Sequence, residues 1–250
     1  MHSGLHNLGH TRSVRRSSYL LHTPDTFIRT QIPGTTKAGV IVHVSPAMGA
    51  GFTQYSVEFE AGGVLGTAAV ERFVYVLEGA INVDAGMHKH ALGKGGYAYI
   101  PQGVEQRVSA IEKARAVVIE QPYRAVKGIG TPELLVGQEQ EVTPQALMGD
   151  GDLQVRTLLP DPVAFDFAVN TMSYAPGAAL SMVEIHVMEH GLLMLEGGGI
   201  YRLDDDWHPV TAGDFIWMAP YCPQWFGAIG KSPAKYLIYK DWNRHPLRAE

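Results

Sequence analysis

With 250 residues, 46% of them apolar, and a formal net charge of −5, the chain has enough apolar mass to bury a core of its own, as one large domain or two small ones. Its charges are dispersed rather than gathered into a basic stripe, which argues against nucleic acid as a partner. No apolar run reaches the roughly 18 residues of a membrane-crossing helix, the start MHSGLHNLGHTRSVRR has no signal-peptide core, and the lone cysteine, Cys222, excludes an internal disulfide; the expectation is a cytoplasmic protein.

In chain order, the terminal histidines His2, His6 and His10 read as part of an untethered tail rather than a metal site. Beyond them, 28 glycines and 15 prolines punctuate short runs rich in Val, Ile, Tyr, Phe and Leu, the mark of many short strands joined by turns. One such unit runs through VLEGAINV, from Val76, to GGYAYIPQGVEQ. The segments TPELLVGQEQE, from Thr131, and TPQALMGD, from Thr143, read as short helical or irregular connectors.

The unit then recurs at an offset of 118, as from Gln106 to Gln224. Leu77, Glu78 and Gly79 fall on Leu195, Glu196 and Gly197; Gly95, Tyr97 and Tyr99 fall on Gly213, Phe215 and Trp217. The expected architecture is all-β: two tandem barrels, with residues 1–140 forming an N-terminal arm and first barrel and residues 141–250 the second.

Within the second copy lies VEIHVMEHG, from Val183. Glu184 and His186 are two apart and leave one face of a strand. His190 follows after three intervening residues, enough for a turn to return it beside them, and Gln224 enters from a later strand. At the corresponding places the first copy carries Gly66, Ala68 and Arg72, keeping only Gln106, so its barrel is expected to bind no metal. A helical zinc reading of HVMEH lacks a downstream carboxylate ligand, since after Glu196 the next glutamate is Glu250. Ordinary satisfied polar residues in a barrel are the other bland reading.

The ladder Gly177, Glu184, His186, His190, Gly197, then Gly213 and, eleven positions on, Gln224, resembles the two motifs of the cupins, with Glu, His and Gln exchanged for the usual His, Glu and His. Two imidazoles, a carboxylate and an amide oxygen suit Mn(II) or Fe(II), with manganese favoured over zinc. The fuller lettering EIHVMEHG, LEGGGIYRLDDDWHPVTAGDFIWMAPYCPQWFGAIG and YLIYKDWNR, preceded by FDFAVNTMSYAPGAAL and the lead-in TRSVRRSSYLLHTPDTFIRTQIPG, is similar to that of the (S)-ureidoglycine aminohydrolases, bicupin manganese enzymes of purine breakdown.

That resemblance implies two jelly-roll (double-stranded β-helix) cupin barrels and hydrolysis of a small ureide, (S)-ureidoglycine, to (S)-ureidoglycolate and ammonia. It implies one Mn2+ per chain, in the second barrel, on Glu184, His186, His190 and Gln224, with Tyr201, Gln224, Tyr236 and Lys240 at the substrate and Glu184 and Lys240 in catalysis. Parity agrees in part: Tyr236 and Lys240 share a strand face that Tyr239 does not. Trp207, Trp217, Trp225 and Trp242 read as packing residues, and His90 and His208 as turn or surface histidines. A homo-oligomer is expected from the barrel edges and arm. The alternatives are an iron-dependent bicupin dioxygenase of a small acid or phenol, a non-catalytic ligand-binding bicupin, and the same site acting on another amine or amide of a small carboxylate.

Overall fold

A computed structural model describes residues 10–245 and 247, so His2 and His6 lie outside the described residues. Strand alternation builds it directly: along Ala80–Ala85 the buried positions are Ile81, Val83 and Ala85, and along Gln106–Ala110 they are Gln106, Val108 and Ala110. Among the described residues, helix is confined to 3-10 turns at Pro24–Thr26, Pro46–Met48 and Glu139–Glu141. The fold is all-β, a tandem of two barrels.

The first barrel is a nine-stranded sheet. Its path runs Leu135–Gln138, Gly96–Ile100, Glu71–Glu78, Ala114–Gln121, Thr53–Leu65, Gln106–Ala110, Ala80–Ala85 and His88–Gly93, with Thr36–Val44 also on Thr53–Leu65. Its interior is aliphatic: Val57, Leu65, Val74, Val76, Ile81 and Val118 are at most 1% exposed.

In the second barrel, the strands Tyr19–His22, Phe215–Met218, His190–Glu196, Ala234–Lys240 and Ala168–Tyr174 are successive neighbours in one sheet, and Asp206–Thr211, Gly198–Leu203 and Gln224–Ala228 form another. The repeat is exact in several strands: His88–Gly93 and Gln106–Ala110 recur as Asp206–Thr211 and Gln224–Ala228. The LEG turns recur as well. Gly79 and Gly197 have φ of 71° and 65°, and a Cβ on either would lie 2.3 Å from a carbonyl oxygen, of Lys113 and Pro233 respectively.

Two expectations are corrected. The arm belongs with the second barrel: Tyr19–His22 pairs with the edge strand Phe215–Met218, in the register Leu20 to Trp217 and Leu21 to Ile216. Arg12 anchors it with bonds of 2.5 and 2.9 Å to the buried Asp214, and Tyr19 Oη lies 3.0 Å from Nε2 of His208, which is thus a latch for the arm rather than a surface histidine. The compact units accordingly group the described residues through Phe27 with Ala146–Val155 and Thr171–Lys240, and Ile28–Gln145 with Arg156–Asn170 and the C-terminal segment from Asp241. The physical reason is the edge: unpaired N–H and C=O groups of Phe215–Met218 need a partner strand, and the arm supplies it.

The second correction concerns the connector. Leu135–Gln138 is a strand, pairing Leu135 with Tyr99 and Gly137 with Tyr97, so it covers in the first barrel the edge that the arm covers in the second. Gln145–Leu147 is also extended. Trp207 packs edge-on against Trp225, with centroids 5.7 Å apart, while remaining 58% exposed, and Trp242 is 40% exposed.

Candidate functional site

Glu184 and Gln224 face each other across an isolated antiparallel bridge, with Glu184 N–H donating to Gln224 O at 2.8 Å and Gln224 N–H to Glu184 O at 2.9 Å. The segment from Glu184 to His186 is otherwise irregular, and it is tied again at His186, whose carbonyl accepts from Tyr221 N–H at 2.6 Å. His190 opens the strand His190–Glu196, paired with Met218 on one side and Lys240 on the other. These pairings bring together the four residues expected to hold a metal.

The side chains agree. His186 Nε2 lies 3.1 Å from Glu184 Oε2, and the His186 and His190 rings stack with centroids 5.2 Å apart. Two ligands adjacent on one octahedral ion sit about 3 Å apart, given metal–ligand bonds of about 2.1 Å. The 3.1 Å approach therefore serves a hydrogen bond or a shared ion equally well. His190 is buried, and its Nδ1 is 3.1 Å from Met188 O. A carbonyl only accepts, so Nδ1 carries the proton and Nε2 keeps its lone pair for an electrophile.

Burial, then the neighbouring Lys240 and His186, hold the His190 imidazole well below its ordinary pKa, which favours its neutral form. Tyr201 Oη donates to Gln224 Oε1 at 2.9 Å and so orients the amide with its oxygen fixed. Among the described residues no group of three or more His, Cys, Asp and Glu side chains is drawn together as a cation site. The set is open, with an amide as fourth donor and with the Glu184 and His186 side chains 18% and 32% exposed.

Beneath this layer the barrel is closed by aromatic rings. Tyr201 and Tyr236 are 1% and 2% exposed, and both pack on Phe226, at 5.5 and 5.8 Å between centroids. Tyr236 Oη is 2.7 Å from Tyr174 Oη. Tyr174 was not singled out from sequence; the detectable signal was its place at the end of the strand Ala168–Tyr174, ahead of the 184–190 segment. Glu189 points away from the cluster and accepts from Trp217 Nε1 at 3.1 Å, as its counterpart Glu71 accepts from Tyr99 Oη at 2.7 Å. Cys222 is buried, and burial pushes its thiol up to about 11, leaving it inert.

In the first barrel the corresponding place holds an ion pair. Arg72, in the position of His190, donates through Nε to Glu120 at 2.7 Å and through Nη1 to Gly66 O at 2.9 Å; Tyr55 Oη donates to the same carboxylate at 2.8 Å. Arg72 pairs with Glu120 across the sheet just as His190 pairs with Lys240. A guanidinium fills the ground a cation would need. Gln106 remains buried, but Val83 replaces Tyr201 and neither amide atom has a protein partner.

Family models match both halves of the chain: a cupin domain over residues 170–239 and a EutQ-like cupin domain over residues 47–123. The (S)-ureidoglycine aminohydrolase of Arabidopsis thaliana is 39% identical over 242 residues, 96% of this chain and 80% of that one. That of Escherichia coli K12 is 34% identical, covering 92% of this chain and 91% of its own. The chain belongs to the (S)-ureidoglycine aminohydrolase family.

Solved structures agree on the fold of this family member. The protein Ylba of E. coli superposes with a TM-score of 0.84 at 30% identity over 97% of this chain and 98% of that one. A putative glyoxylate-induced protein of Pseudomonas aeruginosa gives 0.86 at 30% identity, covering 96% and 93%. Oxalate decarboxylase of Bacillus subtilis, at 11% identity and a TM-score of 0.71, shares the tandem fold alone.

Proposed function

We propose that this protein hydrolyses (S)-ureidoglycine to (S)-ureidoglycolate and ammonia, with a manganese ion held in the second barrel by Glu184, His186, His190 and Gln224. The observation that carries this reading is the convergence of two imidazoles, a carboxylate and an amide oxygen in one barrel, within a family named for that reaction. The residues fit a borderline-to-hard divalent ion: His190 offers a free Nε2, Gln224 an oriented oxygen, and no thiolate competes. When bound, the ion supplies Lewis acidity and a fixed point for the substrate's heteroatoms.

The chain's own groups complete the chemistry. Lys240, opposite His190, carries a positive charge at the end of the ligand layer and is the counter-ion for the substrate carboxylate. Its ammonium and the ligand cluster hold the substrate carbon from two directions, which presents one face to water and sets the stereochemistry. Glu184, partly open to solvent and 3.1 Å from His186, is the group placed to give a proton to the departing amine and to take one back from the water that then adds to the imine-like carbon. Tyr201 keeps Gln224 in register, and Tyr236 offers a hydroxyl from the floor.

The reading includes a cytoplasmic homo-oligomer with a small-molecule ureide as its substrate. Its test is ammonia release from freshly generated (S)-ureidoglycine by metal-stripped protein, with and without added Mn2+, beside Glu184→Ala. Manganese-dependent release above the spontaneous rate, yielding one enantiomer and absent in the variant, supports it. Oxygen consumption with iron and no ammonia selects a dioxygenase; saturable binding without turnover selects a binding protein.

A further inference from the structure

The hydroxyl of Tyr174 has a single hydrogen-bond partner among the described residues, Tyr236 Oη at 2.7 Å. Tyr236 Oη has a second neighbour, Met172 Sδ at 3.3 Å, which can only accept. Both tyrosines are buried, 0% and 2% exposed, and burial pushes both hydroxyls above the ordinary tyrosine range, so both stay protonated. Two protons and three acceptors leave one arrangement in which each proton is satisfied: Tyr174 donates to Tyr236, and Tyr236 donates to Met172. A thioether is a weak acceptor, and any carboxylate, ureido or amine group entering above Tyr236 outcompetes it.

The rings hold this arrangement in place. Tyr174 packs edge-on against Phe226 at 4.9 Å and against Tyr236 at 5.6 Å; Phe226 lies two residues from Gln224 on the same strand face. Rotation of Tyr174 away from Tyr236 would require displacing Phe226 and with it the strand that carries a ligand.

We propose that Tyr174 is a positioning residue for the reaction: by donating to Tyr236 it commits that hydroxyl to act as a donor to the substrate, with Met172 as its resting acceptor. This rests on the functional reading above, in which Tyr236 meets the substrate.

The experiment compares Tyr174→Phe, Tyr236→Phe and the double variant, with unfolding temperature measured for each. In Tyr174→Phe, Tyr236 loses its fixed donor; KM for (S)-ureidoglycine is expected to rise roughly five- to tenfold, the worth of one hydrogen bond, with kcat within about twofold. In the Tyr236→Phe background the same change should add nothing further, because its effect is transmitted through that hydroxyl. Equal kcat and KM in Tyr174→Phe, or effects that multiply in the double variant, would overturn the proposal. A second readout needs no turnover: the slowly exchanging hydroxyl protons of the pair in proton NMR. Removing the Tyr174 hydroxyl should shift the Tyr236 resonance, whereas an unmoved Tyr236 signal sinks the relay. If the wild-type protein releases no ammonia, the functional reading fails and the NMR result still decides the relay.

Discussion

Glu184 and Gln224 hold each other by main-chain bonds of 2.8 and 2.9 Å, so the strand geometry of the ligand layer does not depend on either side chain. Replacing the Glu184 carboxylate therefore removes a donor without unfastening the segment. Glu184→Ala is expected to keep its unfolding temperature within a few degrees, since the main-chain bridge that fixes the segment is retained. It should lose the bound ion and turnover together. Metal content by atomic emission and ammonia release on the same preparation check it.

Tyr201 donates its only proton to Gln224 Oε1 at 2.9 Å. Tyr201→Phe leaves the ring in place and lets the amide rotate, presenting nitrogen instead of oxygen. Support of this kind is worth about 10- to 100-fold in metal affinity. The expected outcome is weaker Mn2+ binding by competition with a chelator dye, with activity restored by excess metal. Activity that stays low at saturating metal would assign Tyr201 to the substrate instead.

Arg72 and Glu120 neutralise each other inside the first barrel, with the Arg72 side chain 3% exposed. Arg72→Ala leaves the Glu120 carboxylate, 17% exposed, with Tyr55 as its side-chain donor among the described residues. Breaking a buried pair on one side costs about 3–5 kcal/mol. Denaturant unfolding should show that loss, while metal stoichiometry and turnover of the folded fraction remain those of the parent.

Glu71 is fully buried, and burial first, then the neighbouring Asp166 carboxylate, push it from 4.5 up to about 8. Burial raises the Asp166 carboxyl as well, but Asp166 has Arg244 at 2.8 Å and the Arg124 N–H at 2.6 Å to hold a charge, which places the retained proton on Glu71. Below the unfolded value both states carry the proton and the stability is fully present. As pH rises between 4.5 and about 8 the unfolded chain releases a proton that the fold retains, so stability falls by on the order of a few kcal/mol and then levels. Glu71→Gln keeps an acceptor for Tyr99 and should flatten that fall. A melting series from pH 5 to 9 on both proteins checks it, and parallel slopes would show that the proton resides elsewhere.

By itself the sequence determined the doubling, the glycine turns and most of the strands, though not the connector strand Leu135–Gln138. Glycines in LEG and alternation in GGYAYIPQGVEQ are local constraints of φ and pleat, and they hold wherever the chain goes. It also marked out the candidate cluster, because Glu184, His186 and His190 lie close along the chain and the first repeat has nothing like them. Tertiary structure decided the rest. Which barrel receives the arm depends on which edge strand lacks a partner, a property of the assembled sheet and not of Tyr19–His22. That Tyr201 turns to Gln224, that Tyr174 meets Tyr236 and that Glu120 answers Arg72 are encounters between residues 23, 62 and 48 positions apart. Hydrogen bonds act over about 3 Å, so such partners are chosen only when the barrel closes.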